Sequence, residues 1–294
     1  TYWLPIEPDA VVGPYGTRYW RKGKVVDSEL RGDDSEIIMN EALNFIEKNN
    51  QSPFLSVIWF HAPHLPVVAS DSDRAAFKNL DPYSQSYFGC IRALDRQVGR
   101  LRKHLRQTGL AKNTILFFCS DNGPEGNQSA PGSAAPLRGR KRSFYEGGIR
   151  VPGIIEWPDQ IPTAVITDFP AVTSDYLPTL LDITGGSLPD ERPLDGISLL
   201  PLIKNPKLLV RNNPIFFQSA NQATMIADDF KLIGKVQNAK TALSNPELYR
   251  ISRDPSESQD VSSQHPEIVK QMQMKLANWR DSCKNSLVGK DYRR

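Results

Sequence analysis

The chain has 294 residues, 39% hydrophobic and 23% charged, a balance that excludes bulk disorder and allows one large domain or two of ordinary size. Its 36 basic and 33 acidic residues leave a net charge of +3, too mild to argue for a nucleic-acid partner. No apolar stretch approaches the roughly 20 residues needed to span a bilayer, and Cys90, Cys119 and Cys283 contain no CxxC pair that would suggest a disulfide scaffold or a zinc site.

Thr1 leads without a Met, a charged n-region or an apolar h-region, so a processed chain or a piece of a longer one is expected. Residues 1 to 30 mix Pro, Gly and aromatics without a period and predict irregular structure or short strands. Asp34-Ser35-Glu36 then opens a helix carrying Ile37, Ile38, Ala42, Phe45 and Ile46, which Asn49 to Pro53 breaks. Phe54 to Phe60, F-L-S-V-I-W-F, reads as a strand buried on both faces. A long helix follows from Tyr83 to Arg106, with apolar residues Tyr87, Ile91, Leu94, Val98, Leu101 and Leu105 at helical spacing. Gly109 ends it and Thr114 to Cys119 predicts the next buried strand, so the order suggests a crossover unit.

Residues 123 to 143 form a loop rich in Gly, Ser, Ala and Pro that closes on R-G-R-K-R. A strand at Gly153 to Trp157 and a helix near Ser174 to Thr184 come next. Beyond Pro206, short antiparallel strands are predicted at Ile215 to Phe217, Ala223 to Ala227 and Lys231 to Val236. A last helix runs from Pro266 to about Ser282, with Ile268, Met272, Leu276 and Trp279 on one face. The expected fold is α/β, a mixed sheet flanked by helices over residues 1–205. A smaller α+β subdomain over 206–294 would hold an antiparallel sheet plus a helix.

Polar residues at strand ends are where open α/β sheets bind ligands. Three such stretches carry chemistry: H-A-P-H-L-P at 61 to 66, S-D-N-G-P at 120 to 124, and R-G-R-K-R-S-F-Y-E-G-G-I-R at 138 to 150. A fourth, L-D-G-I-S-L-L-P-L at 194 to 202, has no reactive group and reads as structure. Asp121 and Asn122 offer hard oxygens suited to Ca²⁺ or Mg²⁺. His64 can pass a proton to a leaving group, and Lys141 can sit against a tetrahedral oxyanion. Together they would equip hydrolysis of a sulfate or phosphate ester. Each has a plainer reading: Asp-Asn-Gly as a turn, a His beside prolines as a loop residue, R-G-R-K-R as a solvated basic loop or nucleic-acid patch.

The combination and order of segments decide more. P-F-L-S-V-I-W-F-H-A-P-H-L-P, A-L-D-R-Q-V-G-R-L, S-D-N-G-P, K-R-S-F-Y-E-G-G-I-R-V-P-G, S-D-Y-L-P-T-L-L-D-I-T-G and L-Y-R-I-S-R-D-P-S-E follow one another through the chain. In this the chain resembles the sulfatases of the arylsulfatase A type, in the alkaline-phosphatase-like superfamily. The resemblance implies that Asp121 and Asn122 match the second pair of calcium ligands, with Mg²⁺ as an alternative. It implies that His64 contacts sulfate and assists the leaving group, and that Lys141 holds sulfate oxygens. His61, Arg138 and Arg140 would be supporting positions. The substrate implied is a sulfate ester, aryl or carried on a sulfated polysaccharide. A secreted, periplasmic or lysosomal location is implied too.

The chain also departs from the family. The formylglycine nucleophile arises in a C/S-x-P/A-x-R motif, and no cysteine or serine here has that context; Ser129-Ala130-Pro131 lacks the arginine. The early Asp-Asp pair and the G-K-W-H-type segment are absent as well. The sequence therefore matches the C-terminal half to two-thirds of a sulfatase, and an N-terminal segment of the same protein is the expected partner. The chain alone is expected to be inactive. His64, Asp121, Asn122 and Lys141 are expected to converge at the carboxyl ends of the strands. Two other readings stand beside this one: a phosphate or phosphonate ester hydrolase, and a non-catalytic protein holding sulfated polysaccharide through Arg138, Arg140, Lys141 and Arg142.

Overall fold

The computed structural model describes residues 19–26, 30, 33–127, 129–190, 192–208, 210–219, 221–236 and 243–292; most of the segment 1–30 lies outside them. The chain divides into two units, Thr1–Ile115 with Gln128–Pro131, and Leu116–Asn127 with Gly132–Arg294.

In the first unit, β1 (Trp20–Arg21) and β2 (Lys24–Val25) form a small hairpin. Its turn, Lys22-Gly23, has positive φ at both residues, as a tight two-residue hairpin requires. Helix α1 (Asp34–Asn49) starts where Asp33 accepts the Glu36 amide at 3.0 Å, and it buries Ile37, Met39, Ala42 and Ile46. Ser70 caps the short α2 (Asp71–Arg74). Asp81 caps α3 (Pro82–Gln107) by accepting the Tyr83 and Ser84 amides, with Pro82 in the first turn.

The buried stripe of α3 differs from the expected one. It runs through Gly89, Cys90, Ala93, Gln97, Leu101 and Leu105, while Ile91 is exposed. Small residues allow close approach here: a Cβ on Gly89 would sit 2.7 Å from the Ala69 Cβ. α1 and α2 both pack on this helix. The loop side is pinned by Asp73, buried, which takes a forked pair of bonds from Arg96 at 2.7 and 2.9 Å.

Phe54 to Phe60 is a correction. The run carries no regular secondary structure and pairs with no strand among the described residues, and its exposure alternates. Leu55, Val57 and Trp59 are 67%, 66% and 71% exposed, so the run is not buried on both faces. A continuous apolar run becomes doubly buried only when neighbours cover both its faces.

The second unit holds two sheets. β3 (Leu116–Cys119) pairs antiparallel with β4 (Gly153–Glu156), so no parallel crossover is present among the described residues. Between them lies the short helix α4 (Glu146–Ile149). α5 (Tyr176–Thr184) ends on Gly185 in the left-handed conformation, and α6 (Leu200–Lys204) follows. β5 (Ile215–Gln218), β6 (Gln222–Ala227), β7 (Phe230–Lys235) and β8 (Ser244–Arg250) make an antiparallel meander in that order. Helix α7 (Pro266–Leu287) lays Val269, Met272 and Leu276 on Ala223, Met225, Leu232 and Leu248 of this sheet. The molecule is thus mixed α/β with a C-terminal antiparallel sheet and helix. Residues 204–208, where the expected boundary falls, include the end of α6.

Candidate active site

Strand β3 ends at Cys119 and releases S-D-N-G-P-E into a loop, residues 120–125, that a second loop grips. The Gly123 amide donates to the Gly148 carbonyl at 2.9 Å, the Lys141 amide to Pro124 at 3.1 Å, and the Gly147 amide to Arg138 at 2.7 Å. The grip needs backbone against backbone. A Cβ on Gly123 would lie 1.9 Å from the Gly147 oxygen, and one on Gly147 would lie 2.3 Å from the Gly139 oxygen. The glycines of D-N-G and E-G-G are therefore the two halves of one interlock, which sets Lys141 beside the 120–125 loop.

This makes a prediction about stability. Gly123→Ala must displace backbone and is expected to cost about 1–3 kcal/mol, in the range of overpacking. Gly153→Ala, in β4 with nothing within 4 Å of the new methyl, should be close to neutral. Urea unfolding of the two variants checks this; equal midpoints would show that the interlock yields without cost.

Lys141 points its ammonium at Glu125, with Nζ 3.2 Å from Oε2, and is 18% exposed. Arg142 pairs with the other Glu125 oxygen, and the Gly126 amide also bonds to it. Arg142, then the Gly126 amide and Lys141, push the Glu125 pKa down to about 2, so the carboxylate is ionised throughout the physiological range. Asp121 is exposed and, among the described residues, its carboxylate takes no hydrogen bond and no ion pair. Asn122 donates through Nδ2 to the Gly123 carbonyl at 2.9 Å, which leaves its Oδ1 as a free acceptor. A free carboxylate beside a free amide oxygen is the donor chemistry a hard divalent cation takes. Two donors are fewer than the about six to eight that Ca²⁺ takes. No group of three or more His, Cys, Asp or Glu clusters as ligands among the described residues.

Both arginines of R-G-R bond to groups of this chain. Arg138 lies over the Tyr145 ring at 3.8 Å and donates to the Tyr249 hydroxyl at 2.9 Å and the Glu257 carbonyl at 3.2 Å. Arg140 donates to the carbonyls of Glu125 and Gly132 at 2.7 and 3.0 Å. Both guanidiniums thus tie loops of the second unit together. The sequence showed only that these residues were basic, and said nothing of which carbonyls they would find.

His61 and His64 belong to the first unit, and Asp121, Asn122 and Lys141 belong to the second. His64 is exposed and its Nδ1 donates to the Leu65 carbonyl at 2.9 Å, which makes Nε2 the nitrogen able to take or release a proton. The His61 ring lies 5.2 Å from it, with Nδ1 3.8 Å from an Asp34 carboxylate oxygen. Burial lowers the His61 pKa, Asp34 opposes the shift and His64 reinforces it.

Three residues escaped the sequence reading. Lys231 on β7 is fully buried and holds Glu146 at 2.7 Å and Glu257 at 2.8 Å. Only the position of Glu146 inside E-G-G could have signalled it; a lysine in the strand F-K-L-I reads as a solvent-facing residue.

The family model described as Sulfatase matches residues 7–186, more than half of the chain. A second, described as N-sulphoglucosamine sulphohydrolase, C-terminal, matches residues 140–282. Similar proteins include Arylsulfatase H of Canis lupus familiaris, 32% identical over 203 residues, and N-acetylgalactosamine-6-sulfatase of Sus scrofa, 35% identical over 192 residues. These alignments cover 65% and 64% of this chain and 35% of each relative. A protein named Sulfatase from Formosa agariphila is 31% identical over 269 residues, 78% of this chain and 46% of its own. The chain thus spans about a third to a half of the length of the relatives it matches. Among solved structures, Ps i-CgsB superposes with a TM-score of 0.80 at 29% identity, covering 91% of this chain and 59% of that one. It is also solved in complex with k-i-k-neocarrahexaose. By the extent of the family match, carried through both the D-N-G and the E-G-G segments, this chain belongs to the sulfatase family.

Proposed function

We propose that this chain contributes metal ligands, an oxyanion-holding lysine and a proton donor to a sulfuric ester hydrolase whose nucleophile lies outside these 294 residues. The observation that carries the reading is the glycine interlock, which holds the Lys141 ammonium and the partner-free Asp121 carboxylate on two mutually bonded loops. A divalent cation held by Asp121 and Asn122, calcium by family resemblance, would polarise a sulfate oxygen. Lys141, beside the ionised Glu125, would exchange that partner for the oxygens of a sulfate ester. Nε2 of His64 is assigned delivery of the proton to the departing alkoxide, which is most needed for poor leaving groups. The carbohydrate bound by Ps i-CgsB supports a sulfated carbohydrate as the substrate class.

A segment of the same protein beyond the chain is the proposed source of the nucleophile. The unpaired run Phe54 to Phe60, with three large apolar side chains exposed, supports such a partner. Arg138 and Arg140, engaged with internal carbonyls, count against the reading in which they hold a polysaccharide without turnover.

The test is hydrolysis of an aryl sulfate by the complete gene product and by the 294-residue chain, each with calcium supplied. The complete product should turn over and lose activity to a chelator. The chain alone should show none, because removing a nucleophile typically costs several orders of magnitude. Turnover by the chain alone would place the nucleophile within it, and preference for a phosphonate ester would overturn the sulfatase reading.

A further inference from the structure

We propose that Lys231 is a positioning residue for the Lys141 loop, acting through Glu146 and the two glycines that follow it. The inference rests on the role of Lys141 proposed above, but its observations are separate. Lys231 stands on β7 with no exposure, and its ammonium contacts Glu146 Oε1 at 2.7 Å and Glu257 Oε1 at 2.8 Å. The second oxygen of Glu257 accepts the backbone amide of Glu146 at 2.6 Å. Arg150 reaches the second oxygen of Glu146 at 3.8 Å from the rim, so two cations face two carboxylates.

Such a cluster is a poor way to gain stability. Taking these charges out of water costs several kcal/mol per ion, and apolar side chains of the same volume often serve as well or better. What the cluster supplies is direction. Lys231 and Glu257 grip Glu146 by side chain and by backbone, so the turn at Glu146 is fixed in place and orientation.

The next two residues are Gly147, which donates to Arg138, and Gly148, whose carbonyl accepts the Gly123 amide. Arg138 in turn donates to the carbonyl of Glu257, closing the ring of contacts. Glu257 itself sits at φ +54, a left-handed conformation uncommon for a residue with a side chain. Strain of that kind persists where its surroundings over-determine it, and it gathers where position matters. Apart from the chain itself between Glu146 and Gly148, every step from Lys231 to the Asp121 loop is therefore a hydrogen bond or ion pair between named atoms.

The reporters are the amides of Gly123, Lys141 and Gly147, followed by hydrogen exchange in the 294-residue chain. In Lys231→Met they should exchange at least tenfold faster relative to amides of the sheet and α7, such as Met225 and Leu276. Asp175→Asn, which weakens a buried ion pair elsewhere in the same unit, should accelerate all of these amides together. Glu146→Gln keeps the size of the side chain and leaves Lys231 paired with Glu257. It should reproduce the selective effect at no less than threefold, and it decides the matter if Lys231→Met fails to fold. Acceleration of the three amides only in step with Met225 and Leu276 would overturn the proposal.

A second reading comes from turnover in the complete gene product. Lys141→Ala should cost less in a Lys231→Met background than on its own, because a displaced lysine has less left to lose. Full additivity would reduce Lys231 to a structural residue. Failure of the sulfatase reading would leave the exchange pattern standing, and failure of the exchange pattern would leave aryl sulfate turnover standing.

Discussion

Asp121→Ala in the complete gene product is expected to bring aryl sulfate hydrolysis to background without moving the unfolding midpoint. The two halves of that expectation come from one observation. Among the described residues the Asp121 carboxylate has no partner and is exposed, so its removal breaks no contact and leaves no buried group unsatisfied. Whatever activity is lost is then lost chemically, through a cation deprived of a charged ligand. Lys141→Ala should behave differently. It removes one of two cations from Glu125, leaving Arg142 and the Gly126 amide to hold that carboxylate, so the fold again survives. Turnover should fall about 10²- to 10³-fold, the usual effect of losing one group that stabilises a developing oxyanion. Steady-state kinetics with calcium supplied, beside urea unfolding of each variant, checks both. Asp121→Ala retaining more than a tenth of the activity would remove it from the metal site.

How much of this could be read beforehand depended on where each residue's partner sits in the chain. Helix starts were legible because Asp33 and Asp81 satisfy amides two or three residues away. The Lys141 loop was legible as a motif, yet its fixing was not: the clash that excludes a Cβ at Gly123 comes from Gly147, twenty-four positions on. Strand β8 was hidden because it opens S-N-P-E, with a proline that suits an edge strand better than a strand prediction. Phe54 to Phe60 misled in the other direction, since apolar composition reports what a run would bury and not whether a neighbour is there to bury it. Lys231 was invisible for a similar reason. Nothing local to the strand marks it as buried, since Glu146 and Glu257, which hold its ammonium, lie far from it in the chain.

The largest loss of stability is expected at Asp175, a residue that touches none of the proposed chemistry. Asp175 is fully buried and takes four hydrogen bonds: a forked pair from Arg211 at 2.7 and 2.8 Å, and the amides of Val172 and Ile197 at 2.9 and 2.8 Å. Asp175→Ala would leave the buried Arg211 guanidinium uncompensated, at about 3–5 kcal/mol. It would also orphan two amides, at about 1–3 kcal/mol each where water cannot reach them. Set against a total stability of roughly 5–15 kcal/mol for a domain, the second unit should be largely unfolded at 37 °C. Asp175→Asn, which keeps the shape and an acceptor for one of the two amides, should cost less. Pairing Asp175→Asn with Arg211→Met should recover part of the loss, because the second change removes the charge the first one stranded. The effect reaches the candidate site through the adjacent residue: the Tyr176 ring packs at a tilt against Phe117 of β3, centroids 4.6 Å apart, and β3 leads into Asp121. Urea titration followed by circular dichroism on the three variants orders them. An Asp175→Ala midpoint within error of the unsubstituted chain would show that the pair is cosmetic and that Tyr176 is held by packing alone.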